Sequence, residues 1–224
     1  MDFGAAFSFV TADEDWVKKL AIASALALAG IITLGLAMIP LLGYGLAITR
    51  RVSEGTEPVL PEWSQFGDLI MDGLKMVAIS IIWSLPIIII SACLGGAAAL
   101  LGGDDSGTVS SLVSILVSCV SIPYSLLLAL LLPASYGHLA YTDEFGAALN
   151  PANAFKILRA NVGAYVIVAL VYVFLVPIIT SIGFLICVIG AFPAIAYTTA
   201  VLGHLMGQAY KGAQEAGFEL AASS

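Results

Sequence analysis

Apolar and polar positions fall along this chain in long blocks. Four stretches carry no Asp, Glu, Lys or Arg: residues 20–49, 76–103, 106–142 and 160–210, which are 30, 28, 37 and 51 residues long. About 20 consecutive apolar residues suffice for a helix to cross a bilayer. The first three stretches therefore predict one crossing helix each, and the fourth is long enough for two. The expected fold class is all-α: a polytopic transmembrane helical bundle of about five helices, forming a single membrane domain over residues 1–224. Composition strengthens this, with 60% apolar residues, 10% charged residues and a mean hydropathy of +1.04. Soluble domains carry about a quarter charged residues, so an ordinary soluble enzyme is excluded.

The segments between the blocks have their own periodicity. Over residues 61–75, Trp63, Phe66, Ile70 and Leu74 share one helical face, while Glu62, Gln65, Asp68 and Asp72 share the other. In the second segment, Asn150 is a natural N-cap ahead of Pro151, with Phe155 and Leu158 set against Lys156 and Arg159. Both read as amphipathic helices lying in the membrane interface, anchored by Trp63, Phe66 and Phe155. Facing the cytoplasm, they would also serve as docking loops.

An internal parallel repeat is expected. Pro40-Leu-Leu-Gly-Tyr-Gly45 resembles Pro133-Ala-Ser-Tyr-Gly137; each leads through a charged loop to a proline, Pro61 or Pro151, and then to an intramembrane proline, Pro86 or Pro177. Tyr44 to Pro86 is 42 residues and Tyr136 to Pro177 is 41. The repeats would span residues 16–101 and 108–182, with a final helix at 183–210 in which Gly203-His204-Leu205 echoes Gly137-His138-Leu139.

Lysine and arginine mark cytoplasmic loops. With five crossings, Arg50, Arg51, Lys75, Lys156, Arg159 and Lys211 are inside, while Lys18 and Lys19 are outside. This predicts a multi-pass cell-membrane protein with its N-terminus outside and its C-terminus cytoplasmic, and with Asp104 and Asp105 external. Lys18 and Lys19 dissent: a first segment broken near Pro40 and re-entrant would bring the N-terminus inside. Asp13, Glu14 and Asp15 stand where a cleavable signal would carry basic residues.

Candidate chemistry is sparse. A net charge of −7 with scattered Lys and Arg offers no nucleic-acid patch. Acidic and basic side chains, which mark proton relays within membranes, are missing from the apolar blocks. His138 and His204 read as interfacial, hydrogen-bonded residues. Cys93, Cys119 and Cys187 read as small packing residues. No catalytic, cofactor-binding or metal-binding set is expected, and the chain reads as no enzyme. The most specific pattern is Ser111, Ser114, Ser118, Ser121 and Ser125, spaced three, four, three and four apart on one helical face. Small polar stripes let a neighbouring helix approach closely; the same stripe is also a candidate pore lining.

The run Leu42-Gly-Tyr-Gly-Leu-Ala-Ile-Thr-Arg-Arg51, then Leu60-Pro-Glu-Trp63, Phe66, Asp72-Gly-Leu-Lys75 and the terminal Gly203-His-Leu-Met-Gly-Gln-Ala-Tyr210, resembles the prokaryotic membrane proteins catalogued as domain of unknown function 4013. The resemblance implies a prokaryotic polytopic membrane protein and brings no activity, cofactor or catalytic residue. The expected role is a structural or assembly component, embedded in the lipid bilayer as a homo-oligomer or membrane-complex subunit. A small-solute or lipid-like transporter or channel is the alternative.

Overall fold

The computed structural model describes residues 2–57, 59–101, 108–186 and 188–217. All described secondary structure is helical. In chain order the helices are α1 (Phe3–Ala12), α2 (Trp16–Ile32), α3 (Ile39–Glu54), α4 (Phe66–Leu101), α5 (Thr108–Thr142), α6 (Phe145–Leu149), α7 (Pro151–Ala160), α8 (Val162–Leu170), α9 (Val176–Ile186) and α10 (Ala191–Glu215). Among the described residues, three helices are long and apolar enough to cross a membrane: α4, α5, and the α8–α9 rod over Val162–Ile186.

Local sequence explains most boundaries. Pro40 occupies the first turn of α3, where a missing N–H costs nothing. Gly55 closes the same helix at φ 71°, its N–H reaching Arg51 and Val52 carbonyls. Asn150 caps α7 by accepting the Ala152 N–H at 3.0 Å. Between α8 and α9, Val171–Leu175 forms a π turn. Pro177 follows directly; it has no N–H for the carbonyl four residues back, so the wider turn relaxes the ladder where one bond is lost.

The core is built around α10. Its buried residues run from Ala191 to Ala213, and α2, α3, α5, α7, α8, α9 and α1 all pack on it. Glycines permit the closest approaches. A Cβ at Gly203 would lie 2.5 Å from the Gly45 carbonyl oxygen of α3, and one at Gly207 would lie 2.8 Å from that of Thr49. The Thr49 hydroxyl donates across this seam to the Gly203 carbonyl at 3.0 Å. Where α3 crosses α4, a Cβ on Gly43 would collide with the Leu69 carbonyl, and one on Gly73 with the Ile39 carbonyl. The α4–α5 pair is joined by Ser80 to Tyr136 at 2.6 Å and by the Tyr124 hydroxyl donating to the Trp83 carbonyl at 2.6 Å. Beyond Trp83 most of its apolar side chains are exposed.

Several expectations are corrected here. Residues 20–49 do not make one crossing helix. The chain turns at residues 33–38, where Leu34 and Gly35 have positive φ, and α3 runs back beside α2. The break falls just ahead of Pro40, as the re-entrant alternative anticipated. The Asp2 N–H donates to Gln208 Oε1 at 2.7 Å, and Gln208 Nε2 donates to the Asp2 carbonyl at 3.0 Å, so both ends of the fold meet. Residues 61–75 are no separate interfacial helix, because from Phe66 onward they are the first turns of α4. In the second segment α7 ends at Ala160, before α8, so the two expected repeat units differ in build. The final helix is α10, beginning at Ala191 rather than 183.

Candidate functional site

Two ionic knots hold the polar end of the molecule. In the first, Arg50 at the end of α3 donates through Nε to the Ala140 carbonyl at 2.7 Å and pairs with Asp72 of α4 at 3.2 Å. Asp143 follows α5 at φ 57°, a conformation that Asp tolerates better than most side chains. It lies 3.6 Å from Arg50 and 2.6 Å from Lys75. Three helix ends are thereby fixed together. Asp72 is buried, and a buried carboxylate demands such partners.

In the second knot, the Lys19 ammonium contacts Asp13 and Glu62 at 2.8 Å each and the Leu60 carbonyl at 3.1 Å. Burial alone would lower the Lys19 pKa, but these carboxylates outweigh it and hold the group above its ordinary value of 10.5. Trp63 completes the latch. Its ring stacks on Tyr44 with centroids 4.4 Å apart, and its indole N–H donates to the Lys19 carbonyl at 3.1 Å. Between the knots lies a cavity of about 350 Å³, lined by Arg50, Arg51, Glu54, Glu62, Asp68 and Asp72 among others.

Both histidines are buried within the bundle. His138 Nδ1 lies 3.0 Å from the Tyr210 hydroxyl, and Gly137 abuts the same tyrosine. His204 Nδ1 is 3.1 Å from Gln208 Nε2, and its ring lies 4.5 Å from that of Phe9. Both are hydrogen-bonded, as expected. Among the described residues, no three of His, Cys, Asp and Glu are grouped to hold a metal ion. Cys93 and Cys119 are exposed on α4 and α5, so they do not pack in the core. Cys187, Asp104 and Asp105 lie outside the described residues.

The serine stripe does run along one side of α5. Ser111, Ser114, Ser118 and Ser125 are exposed and Ser121 is half-buried, so the described helices leave most of the stripe accessible. The Ser118 hydroxyl donates within its own helix, to the Ser114 carbonyl at 2.8 Å. Of the expected anchors, Phe66 and Phe155 are exposed while Trp63 is committed to the latch.

Sequence reasoning missed both knots. It placed Asp72 on a wet face, and only its position in the Asp-Gly-Leu-Lys run hinted otherwise. Arg50 and Asp143 are 93 residues apart, and no local pattern links them. No curated protein and no solved structure matches the chain. The model of one family, described as protein of unknown function (DUF4013), matches residues 25–189, a span that runs from the middle of α2 through α9. With membrane-length helices around a packed α10 and this match over most of its length, the chain belongs to the DUF4013 family of proteins of unknown function.

Proposed function

We propose that the protein is a structural or assembly component of the membrane, without enzymatic activity, that associates laterally with further copies through the α4–α5 pair. The observation that carries this reading is the contrast between two parts of one chain. Around α10 the helices bury one another closely, whereas α5 leaves four serines of its stripe exposed on a membrane-length helix. In lipid, apolar burial gives helices little reason to associate, and small side chains that let backbones approach supply the contact instead. The ionic end, carrying Arg50, Arg51 and Lys75, would face the cytoplasm under the positive-inside tendency, with the exposed face of α7 available for docking.

The test is the mass of the purified particle in detergent and in lipid nanodiscs. Combined Ser114→Leu and Ser118→Leu should reduce the particle to a single chain while leaving its thermal unfolding unchanged, since neither serine supports the core. An unchanged multimer would remove the stripe from the interface. Ion flux altered by Ser114→Asp in reconstituted vesicles would favour the transporter or channel alternative.

A further inference from the structure

We infer that α2 and α3 form a re-entrant hairpin, which enters the bilayer from the ionic end, turns among the acyl chains at residues 33–38 and returns to the same side. This requires only that the chain is membrane-embedded and is independent of lateral assembly.

Length comes first. From Leu20 to Ile32 are 13 residues without charge, about 20 Å of helix at 1.5 Å per residue. From Ile39 to Thr49 are 11, about 16 Å. The hydrocarbon core is about 30 Å thick, so neither arm reaches the far face. Both arms are pinned at their polar ends, α2 by Lys19 with Asp13 and Glu62, α3 by Arg50 with Asp72.

The turn itself is made for hydrocarbon. Leu34 is 95% exposed and Ile32 84%, and Ile31 and Leu36 are also largely uncovered. Water would penalise such a tip. Most of the backbone N–H groups around it are satisfied within the hairpin: those of Thr33, Gly35, Leu36 and Met38 reach the carbonyls of Ala29, Gly30, Thr33 and Gly35 at 2.7–3.1 Å. The Ala37 N–H reaches the Thr33 hydroxyl at 3.0 Å, and that hydroxyl donates to the Ala29 carbonyl at 2.9 Å. A turn at membrane depth must satisfy its backbone internally, since lipid offers no partner. The inner side of the hairpin is already occupied, as Ala27 and Leu41 pack with Phe192 at the start of α10. The large side chains exposed at the tip, Ile31, Ile32, Leu34 and Leu36, are aliphatic, and their bulk outweighs Gly35 as a seat for a second helix; this favours acyl chains over another copy as the occupant.

Site-directed labelling tests it, in a background with Cys93, Cys119 and Cys187 replaced by Ser. Lys18→Cys and Ser64→Cys should react with an impermeant maleimide only after the cells are opened, and always from the same side. Leu34→Cys should not react from either side. A nitroxide at position 34 should collide more often with oxygen than with an aqueous nickel chelate. Leu36→Cys gives the same readout if the Leu34 variant fails to fold. Labelling of positions 18 and 64 from opposite sides, or of position 34 from outside, would overturn the hairpin. Spin–spin broadening at position 34 would place a second copy there and overturn the lipid assignment.

Discussion

Gly43 and Gly73 set how near α3 and α4 approach, because a Cβ on either would meet the opposing backbone. Backbone cannot yield as a side chain can. Gly43→Ala should therefore cost about 1–3 kcal/mol, the range for overpacking a tight core, and lower the melting temperature in detergent. Gly67 of the same α4 has nothing within 4 Å of its Cβ position and makes the control. Gly67→Ala should be neutral or stabilising by up to about 1 kcal/mol through helix propensity. Equal effects at both positions would contradict the crossing. At this scale the sequence was legible where chemistry is local. Asn150 announces its cap, and the Tyr-Gly motif marks close packing at Gly45 and Gly137. It was not legible for Asp72, whose helical face reads as wet until Arg50 and Lys75 arrive from across the chain and from one turn on.

Among the elements, the loop from α3 to α4 is a latch closed by Lys19 and Trp63. Because the Lys19 pKa lies above 10.5, its stabilisation is fully present below that value and is lost only as pH climbs through the raised one. The latch should stay closed across the neutral range and open in strong alkali. Lys19→Met should leave the loop protease-sensitive at neutral pH, whereas the wild type resists until alkaline pH. Equal cleavage of both at neutral pH would remove Lys19 from the latch. The long apolar blocks announced α4, α5 and the α8–α9 rod because hydropathy registers membrane-length helices directly. The same measure hid the α2–α3 turn. Its residues are as apolar as the arms, and only Gly35 and Pro40 mark it. The expected repeat blurred for a related reason: a charged loop of similar length became the start of α4 in one half and a separate α7 in the other.

For the molecule as a whole, counting charges along the sequence treats residues 20–49 as one passage through the bilayer. Lys19 bound to Glu62 brings together the two ends of the segment that holds this run, and Asp2 bound to Gln208 joins α1 to α10. That information sits in pairings across 43 and 206 residues, which hydropathy does not contain. The central place of α10 carries a further consequence, for the order in which the protein is made. Synthesis delivers the helices one after another, at roughly 5–20 residues per second, yet the surface that the earlier ones share is α10, which is made after all the other described helices. Until it arrives, α1 lacks the Gln208 contact, His138 lacks Tyr210, and the glycine seam of α3 faces nothing. The nascent chain therefore waits as inserted but unassembled hairpins, open to the proteases that survey unfinished membrane proteins. A chain stopped after Gly190 should insert with normal efficiency and then disappear rapidly in a pulse-chase, and supplying α10 as a separate co-expressed segment should lengthen its lifetime. Equal lifetimes for the stopped and complete chains would mean that the earlier hairpins hold together without it.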